Sequence, residues 1–177
     1  MRRILLSLVV ALAIGTILGC GGVKKPDDLP ELYPVKIKII QDGAPLEGAT
    51  VILNDVTMQS RFTCGGVTDA KGTVAVKTDG KYPGAPQGNY KVTVSKAFIP
   101  APMTETPPSD PEARKEYDAK VAELNAQQAD LVDPVYKSVR STPFELEVGT
   151  AALETEFDVG EAVNIPFSES NRSSSDR

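Results

Sequence analysis

Residues 35–39 read Val35, Lys36, Ile37, Lys38, Ile39. Apolar and charged side chains alternating at a period of two place one face on a core and the other in water, the pattern of a half-buried β-strand. The pattern recurs. Ala49 to Val56 is a second strand, Arg61 to Thr68 a weaker third, and Thr73 to Thr78 a fourth. Tyr90, Val92 and Val94 then alternate with Lys91, Thr93 and Ser95. Phe144, Leu146 and Val148 alternate with Glu145 and Glu147, and Phe157 and Val159 with Glu156 and Asp158. Turn residues separate them: Asp42-Gly43-Ala44-Pro45-Leu46-Glu47-Gly48, Asp69-Ala70-Lys71-Gly72, and a Gly- and Pro-rich loop from Asp79 to Gly88. Short strands punctuated in this way predict an all-β fold, a seven-stranded antiparallel sandwich. A chain of 177 residues with 14 Gly and 14 Pro suits one such domain.

The sandwich is expected over residues 33–167, interrupted at about residues 98–140 between the fifth and sixth strands. The interruption opens on Pro100, Pro102, Pro107 and Pro108. Ser109 or Asp110 can cap a helix there, with Pro111 in the first turn and Glu112 completing a capping box with Ser109. Ala113, Tyr117, Val121 and Leu124 make a narrow apolar stripe, which predicts one helix from about Pro111 to Ala129. Such a helix either lies across one end of the sandwich or forms an arm that meets a partner. Residues 168–177 are mostly Ser and charge, a composition that stays disordered.

The N-terminus reads as an address. Met1-Arg2-Arg3 is basic, and Ile4 to Leu18 is an uncharged apolar run of fifteen residues. That is a secretory signal, shorter than the roughly 20 residues of a membrane span. Ile17-Leu18-Gly19-Cys20 resembles the bacterial lipobox. The resemblance implies a signal peptide over residues 1–19, cleavage between Gly19 and Cys20, and a diacylglycerol on the Cys20 sulfur. Several acyl chains, each CH₂ worth about 0.8 kcal/mol, would make a stable anchor to the lipid bilayer. Residues 20–32 then form a flexible tether with two Pro and no periodicity. Gly21 after the Cys leans toward the outer membrane by the enterobacterial sorting rule. Localisation is therefore expected at the cell membrane or outer membrane, with the domain in the periplasm or at the cell surface.

The turns carry a second resemblance. Gly43-Ala44-Pro45-Leu46-Glu47-Gly48-Ala49-Thr50-Val51, Thr68-Asp69-Ala70-Lys71-Gly72 and Gly88-Asn89-Tyr90-Lys91-Val92-Thr93-Val94 stand in the order found in carboxypeptidase regulatory-like, or transthyretin-like, domains. Residues 134–148 are similar to the closing strands of small bacterial lipoproteins carrying such a domain. The resemblance implies a Greek-key sandwich of the Ig-like or prealbumin-like kind. The helical insertion departs from the minimal domain. Each motif has a structural reason: Gly43 and Gly48 permit turns, Pro45 stiffens one, Asp69 accepts backbone N–H groups, and Tyr90 supplies an inward ring.

Chemistry is sparse. The chain has no His, which removes the commonest general base and metal ligand. The purine-pathway hydrolases and zinc peptidases associated with the resembled domains need His, so neither activity is expected. Cys64 is the second of two Cys. Once Cys20 carries lipid, Cys64 is a redox-active thiol, a partner in an intermolecular disulfide, or a small buried residue on a strand. Asp27, Asp28, Asp42, Asp55, Asp69, Asp79, Glu145, Glu147, Glu154, Glu156, Asp158 and Glu161 show no calcium-loop spacing and no marked glycosidase pair. Gly65-Gly66 and Gly21-Gly22 make no phosphate loop. A net charge of −5 argues against nucleic acid.

The expected protein is a non-catalytic envelope lipoprotein. It needs no cofactor or metal, and its sandwich is a structural or protein-interaction module that meets an envelope protein or a cell-wall polymer. A carbohydrate or small-ligand binding module at the cell envelope is the alternative. Sugar sites stack on rings, and this chain has no Trp and 5 Tyr, of which Tyr33, Tyr82 and Tyr136 fall outside clean alternation and are expected to be exposed.

Overall fold

The computed structural model describes residues 26–57 and 61–169. Gly19, Cys20, the expected signal peptide over residues 1–19 and the tail from residue 170 lie outside the described residues. In chain order come β1 (Leu32–Tyr33), β2 (Val35–Gln41), β3 (Ala44–Pro45), β4 (Thr50–Asp55) and β5 (Cys64–Val67). Then follow β6 (Thr73–Ala75), β7 (Lys77–Thr78), β8 (Tyr82–Pro83), β9 (Ala85–Pro86) and β10 (Gly88–Ser95). After β11 (Ala97–Phe98) and helix α1 (Pro111–Ala126) come β12 (Ala129–Asp130), a 3-10 turn over Pro134–Tyr136, and β13 (Glu145–Val148). β14 (Leu153–Asp158) and β15 (Ile165–Pro166) complete the series.

The molecule is mostly β. One sheet runs β13-β10-β4-β5-β7-β8, and a second runs β14-β2-β3 with β6 also paired to β2. Their facing side chains form one core that includes Ile37, Ile39, Val51, Val92, Val94 and Val148, all fully buried. The strand alternation is as the sequence predicts: β2 buries Val35, Ile37 and Ile39 and turns Lys36 outward. Tyr90 points inward and its hydroxyl donates to Pro86 O at 2.8 Å. Asp69 accepts the amides of Lys71 and Thr73, both at 2.9 Å, which closes the turn before Gly72.

Several expectations are corrected. The sandwich is not wholly antiparallel, because β14 runs parallel to β2. β13 belongs to one sheet and β14 to the other. The chain crosses between sheets after Val148 instead of folding back within one, so β14 arrives beside β2 in the same direction. The expected fourth strand also changes sheets midway. β6 pairs with β2 while β7 pairs with β5. Val76 sits at the switch, its N–H donating to Val35 O at 2.9 Å and its C=O accepting from Gly84 at 2.8 Å. The loop from Asp79 to Gly88 contains β8 and β9, and β9 pairs with β1, so Leu32 belongs to the sheet framework and not to a free tether.

The helix is capped by Asp110 alone, whose carboxylate accepts the amides of Glu112 at 3.1 Å and Ala113 at 3.0 Å. It ends at Ala126, short of the expected Ala129. Ala129 and Asp130 are drawn instead into β12, between β11 and β15 in a small third sheet.

Candidate functional site

The long strands give the sandwich two ends. β2 and β10 begin close together: Leu32 and Tyr33, just before β2, pair with Pro86 and Ala85, just before β10. Both strands finish at Leu131. Gln41 Nε2, at the end of β2, donates to Leu131 O at 2.8 Å, and the Leu131 N–H donates to Lys96 O at 2.8 Å, just past β10. The insertion therefore leaves and rejoins the sandwich at the end opposite the one where the N-terminal segment arrives. At about 3.3 Å per residue, strands of this length separate the two ends by roughly 25 Å.

At its root the insertion is locked to the fold. Asp130, 1% exposed, accepts both contacts of the Lys137 ammonium, at 2.7 and 2.9 Å. Lys137 Nζ also lies 5.4 Å from the centre of the Phe167 ring. Phe167 N–H donates to Gln128 O at 3.1 Å, so β15 seals the returning segment. Beyond the root the arm packs on itself. Tyr117, Val121 and Leu124 on α1 face Ile99, Pro100, Pro102 and Met103 across an open groove of about 370 Å³. No α1 residue is buried. Phe98 and Ile99 remain 49% and 65% exposed beside it. The stripe read from the sequence is thus an arm with its own small apolar face, and not a lid on the core.

The other candidates are dispersed. Cys64 is buried, with its sulfur 3.4 Å from Thr78 Oγ1. Burial pushes its thiol up from the ordinary value, against the lowering effect of the Thr78 hydrogen bond. The geometry is that of a core residue, and among the described residues no cation activates the thiol. Gly65 and Gly66 lie in β5, where a side chain at Gly65 would come within 2.3 Å of Val51 O. Close strand packing explains this glycine pair. Among the described residues no three Cys, Asp or Glu gather as a metal site. The acidic residues serve turns and faces: Asp42 accepts the Ala162 amide at 3.0 Å, and Glu145 pairs with Lys91 at 2.7 Å.

The tyrosines give little platform. Tyr82 is buried, contrary to its expected exposure, because β8 folds back on β7. Tyr136 stacks on Phe144 at 5.0 Å between centroids, and Phe144 on Phe157 at 4.6 Å. This column joins the β13 and β14 edges and was not legible in the sequence, since its rings come from three separate segments. The Asp130–Lys137 pair was missed too. Its one signal was a lone Asp within the Ala-Asp-Leu-Val run.

No protein-family model matches the chain, and no curated protein matches it. Among solved structures it is similar to the major pilin subunit of Bacillus cereus, with a TM-score of 0.40 and 13% sequence identity. The match covers 76% of this chain and 30% of the pilin chain.

Proposed function

We propose that the protein is a membrane-anchored, non-catalytic envelope lipoprotein whose β-sandwich is a protein-interaction module. Acylated Cys20 holds it to the cell membrane or outer membrane, and the arm meets another envelope protein. One observation carries this reading: the arm sits at the end of the sandwich opposite the arriving N-terminal segment. An anchor there leaves the exposed Phe98, Ile99 and α1 groove turned away from the bilayer. Tethering keeps the local concentration of a weak binder high. The finer assignment, a carboxypeptidase regulatory-like domain of Greek-key topology, rests on the turn motifs at residues 43–51, 68–72 and 88–94. A carbohydrate module is less well supported, because Tyr82 is buried and a face of Tyr136 is spent on Phe144.

The test is cross-linking in native membranes, with three forms compared: the natural chain, Cys20→Ala, and a chain in which a short Gly-Ser turn replaces residues 99–128. One stoichiometric protein partner is expected, lost from the second and third forms. Capture unchanged without the arm overturns the reading. Binding to cell-wall polymer with no protein partner puts the ligand module first.

A further inference from the structure

β14 ends its sheet: β2 lies on one side, and among the described residues no strand lies on the other. The parallel ladder fixes which backbone groups are spent. Leu153 N–H donates to Pro34 O at 2.9 Å, and Val159 N–H to Ile40 O at 3.0 Å. In such a ladder alternate residues serve the same neighbour. Leu153, Thr155, Phe157 and Val159 therefore serve β2. The N–H and C=O groups of Glu154, Glu156 and Asp158 point along the sheet to the open edge. Exposed edges are commonly blunted by Pro, by a bulge or by charged side chains, especially Lys, and the charges on β14 are all acidic, so they repel a second copy and admit a basic strand. The segment Leu153–Asp158 contains no Pro, Gly or Lys.

The side chains say what such an edge takes. Leu153, Thr155 and Phe157 are half-buried on the core side, while Glu154 and Glu156 are exposed on the outer face. Glu154 pairs with Lys36 at 2.8 Å and Glu156 with Lys38 at 2.7 Å. The strand already held on the closed side thus reads apolar below and lysine above, Val35-Lys36-Ile37-Lys38-Ile39-Ile40. A strand of the same chemistry on the open side would continue both layers, placing apolar residues beside Leu153 and Phe157 and cations beside the two glutamates. A second copy of β14 does not fit, because it would set glutamate against glutamate.

We propose that the β14 edge is a strand-addition site for an extended protein segment that alternates apolar and basic residues. This rests on the reading of the domain as an interaction module and names the kind of segment it takes.

The probe is a synthetic peptide copying Val35–Ile40, titrated into the full-length protein in mild detergent. Two comparison peptides carry glutamate for both lysines, or N-methyl groups on alternate residues. The chain variant is Glu156→Pro, which removes an edge donor and leaves the β2 ladder bonded, a place where sheets tolerate Pro. Saturable binding of the copy is expected, weakened about tenfold or more by N-methylation and by Glu156→Pro, the scale of a lost hydrogen bond or two. The glutamate peptide is expected not to bind. Absence of binding by the copy, or equal binding by the N-methylated or glutamate peptide, overturns the proposal. Should Glu156→Pro fail to fold, the peptide series on the natural chain decides. Peptide binding and cross-linked capture separate the two readings. Peptide binding left unweakened by folded Glu156→Pro overturns the edge site alone, since the arm can still hold a captured partner, whereas no partner on the natural chain overturns the interaction module itself.

Discussion

Lys137 Nζ lies 2.7 Å from Asp130 Oδ1, and this contact clamps the root of the arm, because Asp130 is 1% exposed while the Lys137 side chain is 36% exposed. The asymmetry decides what each partner is worth. Lys137→Met strips the cation from a buried carboxylate and is expected to cost about 3 kcal/mol. Asp130→Ala releases an ammonium that can reach water, and should cost less, about 1–2 kcal/mol. Urea unfolding of the two variants measures the order. Equal losses would mean that the pair is not the clamp.

The arm is expected to be dispensable for folding. Ala97 pairs with Asp130 and Phe98 with Ala129, so a tight turn can join β11 directly to β12. Replacing residues 99–128 with a Gly-Ser turn should leave the melting temperature within a few degrees, since α1 buries none of its residues. A large drop by calorimetry would show that the arm supports the core.

Two glycines with the same backbone sign should behave differently on substitution. Gly43 has φ +72° and open space where a side-chain methyl would stand, whereas at Gly72, φ +69°, that methyl would meet Ile39 O at 2.5 Å. Gly43→Ala is expected to cost about 1 kcal/mol of left-handed strain. Gly72→Ala adds a backbone clash and should cost roughly 3 kcal/mol. Denaturant midpoints of the pair decide this.

Alkaline stability should report Tyr90. Burial is the main cause that pushes its phenol up to about 12 from 10.0, with the Cys64 and Asp55 charges adding. A raised value in the folded state means that the stabilisation is whole below pH 10 and is lost as pH rises toward 12. Tyr90→Phe should lose about 1 kcal/mol at neutral pH with its hydrogen bond to Pro86. It should also flatten the fall in stability between pH 10 and 12.

Cys64 should be silent in the native protein. Its thiol is buried and its ionisation is pushed up by that burial. Reaction with a maleimide is expected to be slow at pH 7 and fast in denaturant. Rapid native labelling would restore the reactive-thiol reading.

What could be read early was local. The alternation at Val35–Ile39 gave the inward face of β2 because a strand repeats every two residues. The Thr68-Asp69-Ala70-Lys71-Gly72 turn was readable because its bonds close within five residues, from Asp69 to Lys71 and Thr73. Val76 was not: nothing in the run from Thr73 to Thr78 marks the residue where the chain leaves one sheet for the other. Tyr82 misled for the same reason, since its burial comes from a pairing of β8 with β7 that periodicity does not encode.

Strand faces, turn chemistry and the capped helix are properties of neighbours a few residues apart, and the amino-acid order decides them alone. Partners across the sheets are different. Glu154 meets Lys36 across 118 positions, and the parallel run of β14 beside β2 follows from a crossover that no local pattern specifies. Closing such long loops costs conformational entropy, and the whole core offsets that cost collectively by burying Val35, Ile37, Ile39 and their neighbours at once. The open edge, the clamp at Asp130 and the placing of the arm opposite the arriving chain were therefore decided by the tertiary structure.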